Sequence, residues 1–193
     1  MAKIKFNGLV DDFRGGVGGL VVRKTRGKYT VSNKPDTSTL EPSQAQMVQR
    51  QAFARAVAYG KSVMGDPARL AFYEQLGEHK GMPAFSVCMG DYLNAPSMDD
   101  LDLSGYHGQV GDQILITTHD DTGVVDVNVE LTRNDGTNIE KGKAVEIGTG
   151  SGYWVYTVTA PVASGTDIFI EVEAFDRPGS RTVCSANPTV GMN

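Results

Sequence analysis

The sequence predicts an α+β chain in which an N-terminal β-hairpin and short helices precede an all-β sandwich. Apolar spacing carries most of this. It runs near period 2 before residue 35, follows helical spacing over 42–95, and returns to period 2 beyond residue 100. Charge changes along the same divisions. Residues 1–35 hold eight Lys/Arg against Asp11 and Asp12, a local net of about +6, and residues 99–193 hold five Lys/Arg against fifteen Asp/Glu, about −10. A basic end and an acidic end on one small protein can attract one another in neighbouring copies.

The first 35 residues read as β. Lys3-Ile4-Lys5-Phe6 alternates polar and apolar, and Gly15–Gly19 is expected to break the chain. Leu20–Lys24 then forms a strand, and Lys28–Ser32 returns beside it across a turn in which Gly27 can take positive φ. Pro35 ends the second strand. From Ser43-x-x-Gln46, a capping-box pattern, Val48, Ala52, Phe53, Ala56, Val57, Gly60, Val63 and Met64 recur at helical spacing. Asp66 as N-cap and Pro67 at the first position open a second helix, expected to end before Gly77. Pro83 opens a third, with Phe85, Cys88, Met89, Tyr92 and Leu93 as its apolar residues. Ala95-Pro96-Ser97 closes the region, so the expected domains are 1–97, for assembly, and 98–193, the sandwich.

Beyond that boundary, segments starting at Gln113, Val125, Tyr153 and Asp167 are strand-like, with Asp/Asn-Gly and Gly-rich turns between them. Trp154 is expected in their core. Cys88 and Cys184 lie far apart and read as free, buried thiols.

Two resemblances extend this reading. The run Asp120-Asp-Thr-Gly-Val-Val-Asp-Val-Asn-Val, with the later Val172-Glu-Ala-Phe-Asp-Arg-Pro-Gly, resembles the Ig-like modules of bacterial and phage surface proteins. It implies an Ig-like β-sandwich over about ninety residues and little about function. Gly16-Val-Gly-Gly-Leu-Val-Val-Arg, Gly27-Lys-Tyr-Thr-Val-Ser and Gln49-Arg50-x-x-Phe53 look like an uncharacterised family of bacterial and phage-like genomes. That likeness implies a virion or secreted-assembly context.

No motif for catalysis accompanies these elements. The glycine run lacks the Gly-Lys-Ser/Thr ending of a phosphate-binding loop, and a strand follows it where that loop needs a helix. His79, His107 and His119 fall in three segments, short of the convergent ligands zinc requires. Asp120 and Asp121, with Asp126 or Asp176, can be drawn as a weak calcium site, but solvated turn carboxylates are the favoured reading and no metal or cofactor is assigned. Asp99-Asp100 falls in the presumed linker. Arg23, Lys24, Arg26 and Lys28 crowd one hairpin with Tyr29 the aromatic among them. A dedicated nucleic-acid binder is usually basic overall, whereas this chain has net charge −5. No apolar run is long enough for a signal peptide or a membrane span.

The resulting expectation is a non-enzymatic, self-assembling structural protein of a virion, phage-like particle or extracellular filament. It would be made in the cytoplasm, and its partners would be copies of itself and other structural proteins. The expected subunit interface is Ile4, Phe6, Leu20, Val22, Arg23, Lys24, Arg26, Lys28 and Tyr29. The alternative is a surface adhesion module that binds glycan or a host protein through the Ig-like domain.

Overall fold

A computed structural model describes residues 15–25, 27–36 and 41–191. The chain divides into two compact units, Met1–Met47 and Val48–Asn193.

In the first unit, β1 (Gly15–Val17), β2 (Leu20–Thr25) and β3 (Lys28–Asn33) form an antiparallel sheet in that order. The glycine run is therefore not a break. Its first half is a strand, paired Gly15 to Val22 and Gly16 to Val21, and Gly18-Gly19 is the turn. Lys34 N–H closes the far end on the Gly19 carbonyl at 2.7 Å. The expected alternation at Lys3–Phe6 lies outside the described residues.

Helix α1 (Gln44–Met64) begins with the expected reciprocal cap: Ser43 N–H donates to Gln46 Oε1 at 3.0 Å and Gln46 N–H to Ser43 Oγ at 3.3 Å. It is 21 residues long. Only Ala56, Gly60 and Val63 of its apolar stripe are buried, while Val48 and Phe53 are exposed. Asp66 caps α2 (Pro67–Lys80) by accepting from Ala68 and Arg69 N–H. That helix runs through Gly77 and stops instead at Gly81, φ 63°; a Cβ at Gly77 would lie 2.5 Å from the Met82 carbonyl oxygen as the chain doubles back, so the position admits only glycine. Helix α3 (Ala84–Leu93) follows Pro83. The buried residues of α3 are Val87, Cys88 and Asp91; of its expected apolar residues Cys88 is buried, Phe85, Met89 and Tyr92 are half-buried and Leu93 is exposed.

The sandwich has two four-stranded antiparallel sheets. One orders β4 (Ser97–Asp102), β5 (Gln113–His119), β9 (Tyr153–Thr157) and β8 (Val145–Glu146). The other orders β11 (Arg181–Ala186), β10 (Ile168–Phe175), β6 (Asp126–Arg133) and β7 (Asn138–Lys143). The pairs β5–β9 and β6–β10 join strands that are not consecutive, so the chain crosses between the two sheets. Alternate residues of β6 and β10 face inward, with Val129 opposite Val172 and Leu131 opposite Ile170. Ile114, Ile116, Trp154 and Tyr156 meet them from the other sheet. The presumed linker at Asp99-Asp100 is strand β4, irregular between Met98 and Asp100, with Leu101 and Met98 turned toward the core.

The expected α+β class, a hairpin plus short helices ahead of an Ig-like sandwich, is corrected by these elements. The described residues form eleven strands in three antiparallel sheets against three helices, so the chain is mostly β. The balance follows burial. Sixteen buried residues make up the core between the two large sheets, whereas the helices' own cluster is Val63, Tyr73, Val87 and Cys88. No helix among the described residues is long and apolar enough to cross a membrane.

Candidate functional site

Of the residues expected at a subunit interface, Ile4, Phe6 and Arg26 lie outside the described residues. The rest sit on β2 and β3. Val22 is buried, Leu20 is 44% exposed, Arg23, Lys24 and Lys28 are exposed, and Tyr29 is half-buried. Lys24 Nζ stands 5.0 Å from the centre of the Tyr29 ring, opposite it in register, so the paired strands bring this cation and this aromatic face together.

A second constellation lies in the larger unit. Asp91 on α3, Asp120 just after β5 and Asp176 just after β10 bring carboxylate oxygens within 4.8 Å of one another. Each side chain is fixed by its own neighbourhood. Asp91 Oδ2 accepts from the Tyr73 hydroxyl, and its Oδ1 accepts from Thr122 Oγ1 at 2.5 Å. Asp120 Oδ2 accepts from the N–H groups of Thr122 and Gly123 at 2.8 and 2.9 Å, which folds the loop after β5 around it. Asp176 Oδ1 accepts from Gly179 and Ser180 N–H at 2.8 and 2.6 Å, which is how the Asp-Arg-Pro-Gly turn closes. Asp176 Oδ2 is buried with no hydrogen-bond partner.

Burial dominates the electrostatics. Asp91 and Asp176 are 1% and 2% exposed. Desolvation pushes the Asp91 carboxyl up, the Thr122 and Tyr73 hydroxyls pull it back, and Asp120 adds to the rise. Asp176 is raised by desolvation against its backbone donors, with Asp91 adding to the rise. The Tyr73 phenol is pushed well above its ordinary range by burial and by its bonds to Asp91 and Tyr59. Arg177 faces the group from the turn and favours the charged form of Asp91, but its guanidinium is held 3.8 Å over the Phe72 ring. The arrangement offers hard oxygen donors and no activated nucleophile.

Asp120 and Asp176 were visible in the sequence as turn carboxylates; Asp91 was missed. The available signal was its phase, since Val87, Cys88 and Asp91 share one helical face and a carboxylate on a buried face calls for a partner. Asp121 and Asp126 do not join the group. Asp121 Oδ2 accepts from Asn94 Nδ2 at 2.9 Å, and Asp126 pairs with Lys143 at 2.5 Å.

Another buried acid, Glu140, serves a loop. Its Oε2 accepts from Thr159 and Ala160 N–H at 2.8 and 3.1 Å. The nearby phenols of Tyr106 and Tyr156 are pushed up to about 12, chiefly by burial and then by Glu140.

No protein-family model matches the chain. No curated protein matches it either. Among solved structures, it is similar to CopC from Methylosinus trichosporium OB3b at 11% identity, with 49% of this chain and 91% of that chain covered and a TM-score of 0.38. At that TM-score the likeness carries no argument about this chain.

Proposed function

We propose that this chain is a non-enzymatic structural protein that assembles with copies of itself, through its N-terminal sheet, into a virion, phage-like particle or extracellular filament that carries the sandwich. The observation behind this reading is the β1-β2-β3 sheet. Among the described residues no strand pairs with the outer edge of β1 or of β3, and Val22 is the buried apolar side chain while Leu20 stays exposed. Three strands are independently stable only with a hydrophobic face to bury, and Val22 is the one fully buried side chain of β2 and β3. Strand addition from a neighbouring copy supplies backbone hydrogen bonds at an open edge and an apolar face at once.

The charge asymmetry supplies steering. Arg23, Lys24, Arg26 and Lys28 would meet an acidic sandwich on the adjacent copy. Exposed ion pairs contribute about 0–1 kcal/mol each, and about 0.15 M salt screens beyond roughly 8 Å. Salt therefore slows assembly without dissolving what has formed. The test is light scattering and negative-stain microscopy of the full chain beside a variant with those four residues changed to Glu. The wild-type chain assembles and the variant does not, whereas Arg50→Glu with Arg55→Glu has a smaller effect. A wild-type chain that stays monomeric at every concentration overturns the proposal.

A further inference from the structure

We propose that Asp91, Asp120 and Asp176 bind a calcium ion at the end of the sandwich where α3 meets the loops after β5 and β10. Three carboxylates from three separate elements converge there, with oxygens within 4.8 Å of one another. Two of the three are almost wholly buried. Holding that much negative charge away from water is costly unless a cation or a full set of donors answers it. The donors are incomplete. Both oxygens of Asp91, Oδ2 of Asp120 and Oδ1 of Asp176 accept hydrogen bonds. Asp176 Oδ2 accepts none, although the backbone N–H groups on Oδ1 fix the orientation of the side chain. Arg177 offers partial compensation only, since it is exposed and stacked on Phe72.

The donor set selects the class of ion. Every candidate ligand is a hard oxygen, which suits calcium or magnesium and disfavours the nitrogen- and sulfur-seeking metals. Oxygens on opposite sides of a calcium ion lie about 4.6–5.2 Å apart, from bonds of about 2.3–2.6 Å. The observed spread fits inside that span. Magnesium demands near-ideal octahedral geometry and keeps several waters, which donors on a buried helix face and two turns do not favour. Thr122 Oγ1 lies 2.5 Å from Asp91 Oδ1 and 3.1 Å from Asp120 Oδ2, holding those two carboxylates side by side. A bound ion would tie α3 to both loops.

The experiment uses the full chain, stripped with EDTA, in thermal unfolding and calorimetric titration with calcium chloride and, separately, magnesium chloride. Calcium binds at one site per chain and raises Tm by about 5–10 °C at a hundredfold excess over Kd, more than magnesium does. Asp176→Asn keeps the Oδ1 acceptor for Gly179 and Ser180 and places an amide donor where the unpartnered oxygen was. It should fold, match or exceed the wild-type Tm in EDTA, and lose the calcium response. Terbium, in calcium's place, gives a separate readout: excitation of Tyr73, bonded to Asp91, sensitises its luminescence in the wild-type chain and not in Asp176→Asn. Absence of binding heat and of a Tm shift in the wild-type chain overturns the site, as does a calcium response in Asp176→Asn equal to that of the wild type.

Discussion

Replacing Trp154 with Ala tests whether the core between the two large sheets carries the stability of the larger unit. Trp154 is 6% exposed, sits opposite Ile116 in register, and donates from Nε1 to Thr118 Oγ1 at 3.0 Å. Truncating a buried Trp or Phe to Ala costs about 3–5 kcal/mol, the transfer term plus the cavity left behind. The lost hydrogen bond adds little, because Thr118 Oγ1 keeps the Gly152 carbonyl as a partner at 3.3 Å. Native proteins hold only about 5–15 kcal/mol in total, so this one change removes a large share. For a chain of this length it corresponds to a fall in Tm of about 6–20 °C. Trp154→Phe separates the two effects, since it keeps a ring in the core and loses only the N–H and part of the volume; its cost should be less than half as large. Trp154 is the single tryptophan of the chain, so both variants are followed by far-ultraviolet circular dichroism in urea and in heat. A loss below about 1 kcal/mol for the Ala variant would refute the assignment of this core as the source of stability.

Two further outcomes follow from burial. Cys88 is fully buried with its thiol pushed up to about 11, first by desolvation, whereas Cys184 is half-buried on β11. A thiol reagent should label Cys184 in the native chain and reach Cys88 only on unfolding; comparable native rates for both would contradict the packing of α3. The pH dependence has a definite sign. Asp91 and Asp176 have folded pKa values raised above the ordinary carboxylate value, so in EDTA their contribution is intact below that value and is lost as pH rises through the raised one. The groups facing them are Asp120, Asp176, Arg177 and Tyr73 for Asp91, and Asp91 and Asp120 for Asp176. The Tm difference between Asp176→Asn and the wild type should therefore grow in favour of the variant from pH 4 to pH 7, measured without calcium. A constant difference would show that Asp176 is not held at a cost.

Local chemistry written in consecutive residues was legible in the sequence. The Ser43/Gln46 and Asp66 caps form as their spacing requires, the β2–β3 turn falls at the expected place, and the alternation in β6 and β10 marks which side chains face the core. Each depends on contacts a few residues apart or on the two-residue period of a strand, so the chain itself carries the information. Tertiary structure decided the rest. That α2 continues through Gly77, and that this position has no room for a side chain beside the Met82 carbonyl, depend on how the chain doubles back, and Asp99-Asp100 becomes a strand only because β5 offers an edge to pair with. The overall class turned on the same kind of pairing. Strands β7, β8 and β11 are weak or short on their own and exist through their neighbours, which tips the chain to mostly β. Asp91, Asp120 and Asp176 are 29 and 56 residues apart in the chain. Nothing local marks them as a group; they become one because a helix face and two loop turns close on the same volume, where Asp120 acts on the buried Asp91 and Asp91 on the buried Asp176.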